Sequence, residues 1–224
     1  MAVRREPASD DTMPTVLIIG ASRGIGLETV KCALEAGHIV RAFARSAWRI
    51  PVDHPKLTKV SADAGDQAAV AGALEGVDAV IQALGIPGQD MMPRPGHLFS
   101  GATRVLIASM RETGVKRLIA VTGFGAGDSR NRGGCLYNTA FHLFLGRAYD
   151  DKDEQEYLIQ ESELDWVIAR PVILTSGSRT GRYHVLVEPR SWRIGFISRA
   201  DVADFLVKQI DDDAYLGKTP VLTG

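Results

Sequence analysis

The sequence predicts a single-domain α/β protein built on a doubly wound parallel sheet, and three observations predict it. Short apolar runs alternate with amphipathic helical segments along most of the chain. The first run enters a turn punctuated by Gly20, Gly24 and Gly26. The length, 224 residues, suits one such domain and is too short for two of ordinary size.

The elements follow in order. Residues 1–13 carry charges without an apolar core and read as a disordered leader, with the domain proper spanning 14–224. Val16 to Ile19 reads as a buried parallel strand. Leu27, Val30 and Leu34 mark one face of the next helix, which Ala36-Gly37 stops. Ile39 to Phe43 is the second strand and Val60 closes a short third one; a small helix carries Val70 and Leu74. Val77 to Leu84 gives a fourth strand ending at Gly85. After a loop rich in glycine and proline, Leu98, Ala102, Val105, Leu106 and Ser109 trace a buried helical stripe, and Leu118 to Val121 forms strand five. Thr122 to about Leu145 reads as a mobile loop with a short helix over the site. A charged helix from about Tyr149 to Glu161 leads into a sixth strand within Leu164 to Pro171, which completes the sheet. Residues 173–197 then form a small substrate lobe with short strands near 183–187 and 192–196. Ser198 caps a last helix bearing Val202, Phe205, Leu206 and Ile210, and Pro220 to Leu222 adds an edge strand.

Composition narrows the function classes. A formal net charge of −1 offers no basic surface for nucleic acid, and no apolar stretch approaches a membrane span. Cys32 and Cys135 stand far apart, giving neither a disulfide framework nor a metal cluster, so two free thiols in a reducing cytoplasm are expected and no metal. The expected partner is a small molecule, with a monomer or homodimer as the assembly.

The glycine turn points to a cofactor. A strand that runs into Gly20-Ala-Ser-Arg-Gly24-Ile-Gly26 and on into a helix is how a Rossmann unit turns its backbone against a pyrophosphate and offers helix N–H groups to it. Ser22, Arg23 and Ile25 belong to the same turn. Enzymes that use NAD place an acidic residue about 20 residues further on, at the end of the second strand, to bind the ribose hydroxyls. Here that place reads Ala44-Arg45-Ser46. A guanidinium matches phosphate oxygens that a carboxylate would repel, so NADP(H) is expected in preference to NAD(H), with Arg45, Ser46 and Arg23 around the 2′-phosphate. Arg41 lies further inside the strand and reads as structural. Asp63, followed by Ala64, either bonds the adenine amino group or caps the next turn.

These residues, with Ala83-Leu84-Gly85 closing strand four, Val121-Thr122-Gly123 closing strand five, Lys152-Asp-Glu-Gln-Glu156, Arg170-Pro171, Thr180-Gly181 and Ile197-Ser-Arg-Ala-Asp201, resemble the atypical short-chain dehydrogenase/reductases. The similarity is to their small NAD(P)H-binding group, which includes biliverdin reductase B and NmrA-like proteins, and it covers nearly all of the chain from Thr15. The resemblance implies that Ala83 to Gly85 runs beside the cofactor, that Thr122 lies near the nicotinamide, and that Pro171, Val172 and Ile173 wrap its carboxamide. The chain also departs from the better-known branch, which sets a Tyr four positions before a Lys so that both share a helix face. Here Tyr149 stands three positions before Lys152, still close enough to share a face, and Ala148 fills the other slot. Tyr149 and Lys152 are the candidate catalytic pair beside Thr122, Lys152 also as a ribose contact.

For the other candidates at a substrate mouth the ordinary structural or surface reading comes first: His97, His142 and His184; Tyr137, Phe141 and Phe144; Met91 and Met92; Arg130 and Arg132. The sequence thus supports an NADPH-dependent reductase of a small flat acceptor such as a flavin, quinone or carbonyl compound. The alternatives are a non-catalytic NmrA-like NADP(H) sensor, favoured by the missing Tyr-x-x-x-Lys, and a sugar-nucleotide epimerase or dehydratase, opposed by the short C-terminal part.

Overall fold

The computed structural model describes residues 13–85, 97–130 and 149–224. Its first strands are β1 (Thr15–Ile19), β2 (Ile39–Ala44), β3 (Leu57–Ser61), β4 (Ala79–Gln82), β5 (Arg117–Val121) and β6 (Asp165–Pro171). After them come β7 (Ile173–Thr175), β8 (His184–Leu186), β9 (Phe196–Ser198) and β10 (Val221–Thr223). The helices are α1 (Gly24–Glu35), α2 (Gln67–Leu74), α3 (Leu98–Thr113), α4 (149–160) and α5 (Arg199–Lys208).

The main sheet runs β3-β2-β1-β4-β5-β6-β10-β8 and is parallel up to β10, with β8 antiparallel at the far edge. This is the doubly wound α/β fold that the alternating pattern predicts. Its order reverses between β1 and β4, the point where ligands meet the carboxyl ends of such sheets. Because successive side chains alternate across a strand, Val16 and Ile18 enter one core while Leu17 and Ile19 enter the other. The first core takes Val30, Ala33, Val202 and Leu206 from α1 and α5; the second takes Leu74, Leu106, Met110 and Ile159 from α2, α3 and α4. Burial on both faces explains why the central strands are continuous apolar runs.

Several boundaries differ from those the sequence suggests. The sheet does not end at β6. Val221 and Leu222 pair with Arg170 and Pro171 on one side and with Leu186 and Val185 on the other, so the expected edge strand is an interior one. Trp192 to Phe196 is not a strand. Pro189–Ser191 makes a short 3-10 turn and the strand starts at Phe196, pairing in parallel with β7, itself unforeseen, as a separate two-stranded ribbon. In α3 the buried position is Phe99, with Leu98 exposed. Ser198 does cap α5, its hydroxyl accepting from Asp201 N–H at 2.9 Å. Of the expected leader 1–13, residues 1–12 lie outside the described residues, and among those described no helix is long and apolar enough to cross a membrane.

Candidate functional site

The carboxyl ends of β1, β4, β5 and β6 form a shelf. Ile19 O receives Ala83 N–H at 2.8 Å, Thr122 N–H reaches Ala169 O at 3.0 Å, and Phe124 N–H reaches Pro171 O at 3.0 Å. The expected groups Gly20 to Gly26, Ala83 to Gly85, Thr122 and Pro171 are therefore neighbours along one edge.

At the β1 end, the three glycines have three different reasons. Gly20 has φ +88°, and a Cβ there would stand 2.5 Å from Ala83 O. A Cβ on Gly26 would meet Gly20 O at 2.2 Å, so this glycine lets α1 pack on the turn. Gly24, at φ +58°, faces open space, and a Cβ added to it would meet nothing within 4 Å. Arg23 caps α1 without a side-chain bond, and no acidic residue occupies the first turn. The first bond into the helix runs from Leu27 N–H to Arg23 O, so the N–H groups of Gly24, Ile25 and Gly26 have no partner among the described residues. An open glycine, uncapped N–H groups and a helix N-terminus together fit a dinucleotide pyrophosphate.

At the β2 end, Arg45 is exposed just past Ala44, and Arg23 is exposed in the glycine turn; neither makes an ion pair among the described residues. Ser46 precedes the short turn Ala47–Arg49. Arg41 instead donates to Ala73 O and Glu75 O at 2.6 and 2.9 Å, closing the end of α2, which is the structural role expected of it. Asp63 accepts Gly65 N–H at 2.8 Å, so its carboxylate caps the turn that contains Ala64.

The β5 end is held from α4. Lys152 donates to Thr122 O at 2.8 Å and lies 4.3 Å from the centre of the Phe99 ring. Burial pushes its ammonium down from 10.5 to about 8, with Glu156 and Asp151 opposing the shift. Tyr149 brings its hydroxyl to the next residue: a Cβ on Gly123 would come within 2.7 Å of it. Both candidates thus reach the Thr122–Gly123 peptide despite the three-residue spacing, as neighbours one turn apart on a helix should.

Beneath this peptide runs a buried ionic network that the residue pattern does not reveal. Thr122 Oγ1 donates to Glu156 Oε1 at 2.6 Å; Arg170 Nε and Nη2 grip Glu156 Oε1 and Oε2 at 3.0 and 2.5 Å and Nη1 bonds Asp128. Glu156 and Arg170 are each only 1% exposed. Burial works against the Arg170 charge, yet the bonds and charges of Glu156 and Asp128 prevail and raise its pKa. Asp153 accepts Gly127 N–H at 2.6 Å and pairs with Arg130, which also pairs with Asp150. Residues 122–130, expected as a mobile loop, are therefore tied to α4 and β6 at several points. The only signal in the sequence is the joint presence of Glu156 and Arg170-Pro171 among the residues that carry the family resemblance; nothing local says that they pair.

The remaining candidates divide. Pro171 ends β6, Val172 is buried, and Ile173 is exposed at the start of β7. Trp192 packs edge-on against Phe124, with centroids 6.4 Å apart, which brings the 173–197 segment to the β5 end. His97 is exposed before α3, and His184 is exposed on β8. His97, Asp151 and Glu154 present ligand atoms within 4.8 Å of one another. Asp151, however, caps Phe99 and Ser100 N–H, and Glu154 binds Arg104, whose charge competes with any cation. Met91, Met92, Arg132, Cys135, Tyr137, Phe141, His142 and Phe144 lie outside the described residues.

Comparison with known proteins agrees with this geometry. A family model described as NAD(P)H-binding matches residues 20–213. The uncharacterized protein YwnB of Bacillus subtilis is 28% identical over 87% of this chain and 91% of its own. A 3-beta-hydroxysteroid dehydrogenase of Mycolicibacterium neoaurum is 36% identical, but over only 36% of this chain and 22% of its own length. Among solved structures, ChuY, described as an anaerobilin reductase from Escherichia coli O157:H7, is 27% identical, covers 93% of this chain and 96% of its own, and superposes with a TM-score of 0.76. A short-chain dehydrogenase/reductase from Veillonella parvula, in complex with NADP, shares the fold with a TM-score of 0.79 at 16% identity over 94% of each chain.

Proposed function

The chain belongs to the NAD(P)H-binding family, and from that premise we propose that it is an NADPH-dependent oxidoreductase of the atypical short-chain type, acting on a small flat acceptor such as a flavin, quinone or carbonyl compound. The observation that carries this reading is the convergence of Tyr149 and Lys152 on the Thr122–Gly123 peptide, one strand pair from the Gly20–Ala83 contact. A binding-only protein has no need of a phenol at that end.

In this reading the N–H groups of Gly24, Ile25 and Gly26 hold the pyrophosphate, and Arg45, Ser46 and Arg23 bind the 2′-phosphate. No carboxylate at the end of β2 competes with them, and Asp63 is already engaged with Gly65. When bound, the reduced nicotinamide supplies the hydride. The protein supplies orientation: Pro171 to Ile173 border the ring, and Lys152 and Glu156 fix Thr122 from two sides. The Thr122 hydroxyl proton is engaged with Glu156, so the proton for the acceptor comes from Tyr149 or from water. The reductase description of ChuY, a neighbour similar over nearly the whole chain, supports the same class.

One observation favours a second reading, an NADP(H) sensor without turnover: the Lys152 amine is buried against Thr122 O and Phe99. Mixing the protein with NADPH and a panel of flavins and quinones, and following loss of NADPH absorbance, separates the two. Turnover is expected. Tight binding with no oxidation by any acceptor gives the sensor, and absence of binding removes both.

A further inference from the structure

The peptide joining Thr122 to Gly123 is held on one side only. Its carbonyl accepts the buried Lys152 ammonium at 2.8 Å. Its N–H, on Gly123, has no partner among the described residues, although Gly123 is buried and the amides on either side, of Thr122 and Phe124, are bonded to Ala169 O and Pro171 O. Buried backbone N–H groups are almost always paired, so an orphan at the carboxyl edge of the sheet calls for a ligand. In a trans peptide the N–H points away from the carbonyl, hence away from Lys152, and no peptide of the described residues is cis. Glycine at 123 leaves no side chain to cover it, and the place of a Cβ is taken by the Tyr149 hydroxyl.

We propose that the Gly123 N–H is the hydrogen-bond donor for the acceptor's carbonyl oxygen, and that Lys152 is a positioning residue that strengthens this donor through the Thr122 carbonyl. The proposal rests on the reductase reading and narrows its substrate class to acceptors that carry a carbonyl or quinone oxygen. As hydride leaves the dihydronicotinamide carbon, a C–H bond forms at the acceptor and its π electron pair moves through the conjugated system onto that oxygen. The cofactor loses two electrons and the acceptor gains them; water or Tyr149 then protonates the oxygen. A fixed N–H aimed at the developing charge costs no reorganisation when it is needed. A cation on the carbonyl of the same peptide polarises the N–H, because linked hydrogen bonds reinforce one another.

The test uses protein labelled with ¹⁵N-glycine, NADP⁺, and 4-nitrophenolate as a stand-in for the reduced, negatively charged oxygen. NADP⁺ should move the Gly24 and Gly26 amides, and phenolate added to that complex should then move the Gly123 proton downfield. At NADP⁺ concentrations that saturate the Gly24 and Gly26 response of each protein, Lys152→Met should diminish the Gly123 shift and weaken phenolate binding about tenfold. A Gly123 amide unmoved at saturating phenolate overturns the proposal while Gly24 and Gly26 still respond to NADP⁺. A full Gly123 shift in Lys152→Met removes Lys152 from the relay. Should Gly24 and Gly26 ignore NADP⁺, the cofactor reading itself fails.

Discussion

The two ends of the candidate site are built on opposite plans. At the nucleotide end, from β1 to β4, the chain makes its site by leaving things out: glycines without side chains, a helix whose N-cap makes no side-chain bond, and two arginines, Arg23 and Arg45, without a carboxylate partner among the described residues. At the acceptor end, from β5 to β6, it makes its site by filling in: Thr122, Lys152, Glu156 and Arg170 are tied into one buried network, with exposed Asp128 bonded to its outer side. The difference suits the two tasks proposed for them. A pyrophosphate brings its own charge and needs only open N–H groups, whereas a reacting centre needs one fixed geometry, and satisfied buried polar networks supply rigidity.

The comparison is broken most directly at Glu156. Removing one partner of a buried ion pair leaves the other charge uncompensated, at a cost of about 3–5 kcal/mol, and Glu156→Gln should fall near the lower end because Asp128 still reaches Arg170. Urea unfolding measures it; a loss well under 1 kcal/mol would mean that the network does not hold the acceptor end together. At the nucleotide end the sharpest test is a pair of alanines. Gly20→Ala meets both a positive φ and the Ala83 carbonyl and should cost about 3 kcal/mol. Gly24→Ala meets only the strain, about 1–2 kcal/mol, and should act mainly by weakening nucleotide binding. Equal stability losses would show that the open space at Gly24 has no special meaning.

This contrast also explains what is legible in the residues alone. The nucleotide end is legible because its signals are local: glycines at fixed spacing, apolar run before, helix after, and a basic residue where an acid could have been. Even Arg41 and Arg45 can be separated by depth along β2. The acceptor end depends on partners far apart in the chain, such as Glu156 with Thr122, and no spacing rule announces them. The pairing of the tail escapes a sequence reading for the same reason. Val221 to Thr223 is a three-residue strand, and its place between β6 and β8 is set by where neighbouring strands leave a gap, which residue type does not encode. Ser198 is legible because a cap bonds a backbone only three residues away.

A smaller effect separates cofactors. Arg45→Ala should weaken NADPH by about tenfold, the loss of one charge-assisted contact of roughly 1.4 kcal/mol, and leave NADH and folding stability nearly unchanged. Calorimetric titration with both nucleotides checks it. Equal weakening of the two would assign Arg45 to the pyrophosphate, and no weakening of either to no contact; both would return the 2′-phosphate to Arg23 alone.

The smallest expected effect is a pH dependence placed wholly on the nucleotide side. His38, in the turn from α1 to β2, is 4% exposed, and its Nδ1 is without a partner. Burial pulls its imidazole below the ordinary 6.5, against the pull of Asp211 and a bond to the Pro14 backbone. The unfolded chain therefore binds a proton at 38 before the folded one does. Stability from this group is complete above about 6.5 and falls as the pH drops toward the lower folded value. His38→Leu should flatten the acid limb of a urea midpoint against pH curve without changing its neutral plateau by more than the packing difference. An unchanged acid limb would show that the buried imidazole of His38 is not the source of the acid loss.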